Sequence, residues 1–134
     1  MNNCIFCKIV TGDIPAHKIY ENDELMAFLD IMPVRPGHTL VIPKKHFANI
    51  LETPTELSSK MLELAKKIGK HIINEFGADG VNITNNTHAA AGQSVLHVHF
   101  HIIPRYENDG LQPWPHKEYA PGQAETIAAK LHID

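Results

Sequence analysis

The segment His97-Val98-His99-Phe100-His101-Ile102-Ile103 alternates polar and apolar residues without a break. A period of two admits a strand and excludes a helix. In a strand, successive side chains point to opposite faces, so the imidazoles of His97, His99 and His101 share one face along roughly 13 Å. Val98, Phe100 and Ile102 fall on the other face. On a helix, residues two apart do not share a side, and the histidines would scatter around it. The chain must therefore fold around a strand, expected over residues 95–103, with one face for a core and one for chemistry.

The remaining elements are read from their own periods and turns. Ile19, Leu25, Ala27 and Phe28, interrupted by Glu21-Asn22-Asp23, predict a hairpin over residues 17–29. The turn Pro33-Val34-Arg35-Pro36-Gly37 delivers the chain to His38-Thr39-Leu40-Val41-Ile42, a third strand closed by Pro43. Thr53, Pro54 and Glu56 form a capping-box pattern with Thr53 as the cap and Pro54 in the first helical position. The apolar stripe Leu57, Met61, Leu64, Ala65, Ile68, Ile72 and Phe76 then runs to a stop at Gly77. A further strand is expected over 81–84 and a short helix over 124–131.

One long helix, short helical segments and strands joined by hairpin-length connections predict an α+β fold, a mainly antiparallel sheet with the long helix on one face. The 134 residues suit a single domain, 1–134. Residues 106–134 form a variable C-terminal tail, whose first part is rich in Pro, Gly, Trp and His and shows no period.

A net charge of −3 provides no broad basic field, so no nucleic-acid partner is expected and phosphate recognition must be local. No apolar run approaches the roughly 18 residues of a membrane span, and the first residues lack a signal region, so a cytoplasmic location is expected. Cys4 and Cys7 stand in a C-x-x-C spacing, which reads as a metal or redox pair. The three alternating histidines either ligate one zinc with an open water position or divide the labour of nucleophile, orienting group and acid. Just before them, Gly92-Gln93-Ser94 offers backbone, amide and hydroxyl donors that suit a phosphate.

The pattern Gly92-Gln93-Ser94 followed by His97-Val98-His99-Phe100-His101-Ile102-Ile103 resembles the signature of the histidine triad family. Ile14-Pro15-Ala16, Ala27-Phe28-Leu29-Asp30-Ile31, Pro36-Gly37 and the run from His38 to His46 follow the same order, and the match covers roughly residues 4 to 104. The resemblance implies a HIT-like fold and a nucleotide hydrolase or transferase. It acts at the α-phosphate of purine nucleoside phosphoramidates or related substrates, through a nucleotidyl-histidine intermediate. His99 would be the nucleophile, with His101 and Ser94 on the leaving-group side and His38 holding the imidazoles by hydrogen bonding. Asp30 would take the ribose hydroxyls, Asn86 would stand beside phosphate and ribose, and Phe28 and Ile31 would wall the base.

By the same resemblance, Cys4, Cys7, His46 and His97 would hold a structural zinc, leaving His99 and His101 for the reaction. A homodimer is implied, paired through the long helix and a strand. Dinucleoside polyphosphate cleavage, a non-catalytic nucleotide-binding module and a zinc hydrolase using all three histidines are the alternatives. The sequence departs from the family at Asn86-Thr87-His88-Ala89-Ala90-Ala91, a stretch often richer in glycine and acidic residues. His88 is expected to be an exposed loop residue.

Overall fold

The computed structural model describes residues 3–134. A short helix α1 (Ile5–Thr11) is followed by strands β1 (Lys18–Glu21), β2 (Leu25–Leu29) and β3 (Thr39–Pro43), and then by the long helix α2 (Thr55–Phe76). Strands β4 (Gly80–Asn85) and β5 (Phe100–Arg105) and a terminal helix α3 (Gln123–Leu131) complete the order. The strands form one sheet, β1-β2-β3-β5-β4, and every neighbouring pair in it is antiparallel. The α+β expectation holds. Among the described residues no helix is long and apolar enough to cross a membrane.

Side-chain alternation in β2 and β3 explains why β3 is buried throughout and β2 along all but Leu29. Leu25, Ala27 and Val41 turn to α2, where they join Met61, Leu64, Ala65, Ile68 and Ile72. Met26, Phe28, Leu40 and Ile42 turn to the opposite face and pack with Phe6 and Ile9 of α1. The sheet is thus covered on both faces, and its central strands read as continuous apolar runs rather than alternating ones. Val98, Phe100 and Ile102 belong to the α2 side, as the period of two requires. The histidine face lies on the α1 side.

Three sequence expectations are corrected here. Helix α1 was not anticipated, because its seven residues are too few to show a period. Its N-cap is the Cys4 thiol, which accepts from the Cys7 N–H at 3.3 Å. Thr53 does not cap α2: its hydroxyl donates to the Asn49 carbonyl at 2.8 Å, Pro54 occupies the cap position without a side-chain bond, and the helix starts at Thr55. The preceding 3₁₀ turn, Ile50–Glu52, is capped by Asn49, and its closure draws Thr53 away. Finally, β5 begins at Phe100 rather than near residue 95. The Val98 N–H donates to the Phe47 carbonyl at 2.8 Å instead of extending the ladder.

The turn into β3 depends on Gly37, which combines a φ of +96° with a close approach. A β-carbon there would lie 2.8 Å from Phe76 Cε2 and 3.1 Å from Pro104 Cγ. Gly37→Ala is therefore expected to cost about 1–3 kcal/mol from the left-handed backbone and the crowding. Urea unfolding would show this, and an unchanged midpoint would contradict it.

Arg105 grips Asp109 through two hydrogen bonds of 2.7 and 3.0 Å, and Asp109 accepts from the Tyr106 and Leu111 N–H groups. Residues 106–111 are thereby tied to the sheet. Beyond them Trp114 and Tyr119 are exposed, and α3 buries none of its residues against the rest of the described chain.

Candidate active site

Two clusters of donors flank His99, one on each side along the chain. The first joins α1, the segment after β3 and the start of the histidine run. The ligand atoms of Cys4, Cys7, His46 and His97 all lie within 4.8 Å of one another. Cys4 Sγ is 3.3 Å and Cys7 Sγ 3.6 Å from His97 Nδ1, Cys7 Sγ is 3.5 Å from His46 Nδ1, and the two Nδ1 atoms are 3.2 Å apart.

Tetrahedral coordination with metal–nitrogen bonds of about 2.0 Å and metal–sulfur bonds of about 2.3 Å requires edges of about 3.3 Å for N–N and 3.5 Å for N–S. The observed edges match these values. The protonation pattern agrees: His97 Nε2 lies 2.8 Å from the Pro43 carbonyl, which accepts its proton and leaves Nδ1 as a lone pair aimed into the cluster. Burial holds His97 neutral, with a pKa lowered to about 4. Burial and the neighbouring Cys4 push the Cys7 thiol up, so a bound cation must displace its proton. The residues fit a four-ligand metal site.

The second cluster fixes the tautomers of the remaining histidines. His99 Nδ1 lies 2.7 Å from the His97 carbonyl and donates to it, which leaves Nε2 without a proton. Asn85 Nδ2 holds the His99 carbonyl from β4 at 2.9 Å. His99 is 5% exposed, and burial pulls its pKa below the ordinary value while Asp30 opposes that shift. The Val34 N–H donates to His38 Nδ1 at 3.0 Å, so the His38 proton sits on Nε2. From there it is donated to His101 Nδ1 at 2.9 Å. His101 consequently presents Nε2–H as a donor. Burial, then the neighbouring His99 and His38, bring the pKa of His101 down to about 4.

This arrangement gives one nucleophilic lone pair, on His99, beside one N–H donor, on His101, with ring centroids 4.9 Å apart. It does not assemble a three-histidine metal site. The His97 Nδ1 faces the cysteines, that of His99 faces a carbonyl, and that of His101 faces His38. Asp30, His38 and His101 also bring donor atoms within 4.8 Å of one another. There, however, the backbone N–H on His38 Nδ1 keeps a proton on Nε2, and the triangle is a hydrogen-bond relay.

Asp30 stands at the mouth of this relay. Its Oδ1 accepts from the Met32 N–H at 2.9 Å, and its Oδ2 lies 3.7 Å from His38 Nε2. Ile31 is 84% exposed beside it, whereas Phe28 is 3% exposed and packs edge-on against Phe6 at 5.6 Å. Phe28 is thus packed into the core on the α1 side of the sheet.

Gln93 is engaged within the protein. Its amide donates to the Ala48 and Val95 carbonyls at 2.6 and 3.0 Å and accepts from the His88 N–H at 2.8 Å. These bonds brace the loop. Gly92 takes a φ of +95° with the Asn86 amide packed 3.5 Å from where a β-carbon would stand, and its N–H is bonded to the Ala89 carbonyl. Ser94 is exposed and lines a concavity with Cys4, His46 and Leu96. His88 is exposed, as expected.

Sequence reasoning missed Phe6, Asn85 and the backbone groups of Val34 and Pro43. Phe6 stands between the two cysteines and Asn85 directly precedes Asn86, but backbone partners leave no sequence signal.

The depressed histidines carry a stability consequence. His38, His99 and His101 all sit below the ordinary 6.5 in the folded protein, so the fold favours their neutral rings. Their contribution is complete above pH about 6.5 and is lost as pH falls below it, for His101 down to about 4. Calorimetry should show a melting temperature that is flat from pH 7 to 8 and declines between 6.5 and 4. His101→Asn should flatten that decline; an identical slope in both proteins would contradict the assignment.

Comparison with known proteins gives the family. The HIT domain family model matches residues 11–108. The chain is 46% identical to Protein hit of Bacillus subtilis over 133 residues, covering 96% of this chain and 92% of that protein. It is 43% identical over 131 residues to the adenosine 5′-monophosphoramidase hnt1 of Schizosaccharomyces pombe, covering 96% of each. The crystal structure of a Zn-bound histidine triad family protein from Mycobacterium smegmatis superposes with a TM-score of 0.80 at 38% identity, covering 97% of this chain and 96% of that one.

Proposed function

This chain belongs to the histidine triad family, whose HIT domain it carries, and we propose that it cleaves purine nucleoside phosphoramidates or related nucleotidyl substrates at the α-phosphate. The observation that carries this reading is the tautomer of His99, whose Nδ1–H is committed to the His97 carbonyl and whose Nε2 is the unshared lone pair of the site. Neutral imidazole attacks phosphorus without first losing a proton, and the phosphorylated ring is a good leaving group for the next step.

In the first step the His99 Nε2–P bond forms and the P–N bond to the leaving amine breaks. His101 Nε2–H stabilises the charge building on the departing nitrogen. That nitrogen takes a proton through the exposed Ser94 hydroxyl, which solvent replenishes. Water then cleaves the nucleotidyl-imidazole, releasing the nucleotide and free His99. The Asp30 carboxylate accepts from the ribose hydroxyls, and exposed Ile31 contacts the base. Asn86 lies beside phosphate and ribose.

Cys4, Cys7, His46 and His97 hold zinc. Bound there, zinc supplies a structural tie between α1 and the histidine run. The Zn-bound M. smegmatis relative supports this assignment. Pairing into a homodimer is supported by β4, an edge strand of the sheet. Helix α2 approaches β4 closely at Gly69, where a β-carbon would lie 3.3 Å from Val81. Ile83 on β4 is partly exposed, as are Leu62 and Ile73 on the Gly69 face of α2.

Adenosine 5′-phosphoramidate, followed by rapid-quench intact mass, tests the reaction. Turnover with a transient nucleotidyl adduct is expected. Preferential cleavage of dinucleoside polyphosphates would change the substrate class, and nucleotide binding without turnover of either would overturn the catalytic reading.

A further inference from the structure

We infer that Phe6 is a positioning residue for His99, held in place by the Cys4, Cys7, His46 and His97 cluster when that cluster carries its metal. The inference rests on the reading of His99 as nucleophile and asks what fixes its ring.

The hydrogen bond from His99 Nδ1 to the His97 carbonyl sets one atom of the imidazole, but coupled changes of χ1 and χ2 still let the ring rock about its tether. Such a swing would carry Nε2 off the line of attack. Phe6 stands against that motion. Its ring meets the His99 ring at right angles, 90°, with centroids 5.1 Å apart, while His101 flanks His99 at 4.9 Å. The same phenyl ring touches His97 at 5.8 Å and Phe28 at 5.6 Å, both edge-on. At 5% exposure it has no room to relax.

Phe6 owes its position to the cluster. Helix α1 has only seven residues, far below the length at which a helix stands alone in water. Its first turn carries both cysteines, with Phe6 between them, and those thiols converge on His46 and His97. His97 makes the second link, because its side chain enters the cluster while its carbonyl holds His99. Two routes therefore run from the cluster to the nucleophile, one through packing and one through the backbone.

A purely structural Phe6 would affect stability alone. A positioning Phe6 affects the chemical step and the order of the His99 ring. In Phe6→Leu, which keeps apolar bulk and removes the flat ring, metal content should remain one per chain and KM for adenosine 5′-phosphoramidate should stay within about twofold. The single-turnover rate of adduct formation should fall about tenfold or more, since small misplacements of a reacting group cost that much. The order parameter of the His99 Cε1–H bond should drop from the rigid range, about 0.85, to below about 0.6. Wild type stripped of metal by a chelator should lose the same ring order with no substrate present.

Wild-type adduct rates and ring order in a folded, metal-loaded Phe6→Leu would overturn the inference. If Phe6→Leu does not fold, Phe6→Met takes its place. If wild type itself shows no turnover, the proposed reaction fails, and the ring-order measurements still decide the role of Phe6.

Discussion

Replacing His99 with glycine is expected to reduce turnover of adenosine 5′-phosphoramidate by at least about 10³-fold and to eliminate the covalent adduct, while nucleotide binding persists. No neighbouring imidazole can take over. His97 has Nδ1 in the cysteine cluster and Nε2 on the Pro43 carbonyl, and His101 Nδ1 already accepts from His38. The substitution leaves Asp30 and Ser94 in place, so binding groups survive the loss of the nucleophile. Added imidazole could enter the space left by the ring and restore part of the turnover without restoring the protein-bound adduct. Rapid-quench intact mass reads the adduct and a coupled assay reads the rate. A glycine variant that still became nucleotidylated would place the nucleophile elsewhere.

Cys7→Ser is expected to produce the largest loss of stability. Four ligand atoms lie within 4.8 Å of one another, two of them imidazole nitrogens 3.2 Å apart, a closed donor set that a bound cation would tie together. His97 is completely buried, so water cannot take the cation's place at its ring. Losing one ligand should release the metal, free the first turn of α1 and uncover Phe6 and Ile9. A loss of about 3–5 kcal/mol follows from an uncompensated buried polar site and a detached helix, equivalent to a fall in melting temperature of roughly 10 °C or more. Elemental analysis, calorimetry and hydrogen exchange over residues 4–11 would check it. A Cys7→Ser protein with the melting temperature of metal-loaded wild type would reduce the cluster to ordinary packing.

The period of two in residues 97–103 specified a strand-like geometry, and the structure keeps its consequence: Val98, Phe100 and Ile102 face α2 while the imidazoles lie together. The stripe from Leu57 to Phe76 likewise produced α2, and the C-x-x-C spacing brought the Cys4 and Cys7 thiols together, where they meet His46 and His97. These features are local, recorded in side-chain chemistry at short separations, and sequence carries them directly.

Other features depended on contacts between distant segments. Phe47 captured the Val98 N–H and delayed β5 to Phe100; Asn49 captured the Thr53 hydroxyl and cancelled a capping box that looked complete. The amide of Gln93 was taken by the Ala48 and Val95 carbonyls. Most telling are the histidines, identical in sequence and different in role. Which nitrogen of each ring carries the proton was settled by the carbonyls of Pro43 and His97 and by the N–H of Val34. Backbone groups are the same at every residue, so the sequence cannot show which of them will meet a given imidazole; only the folded chain brings them together.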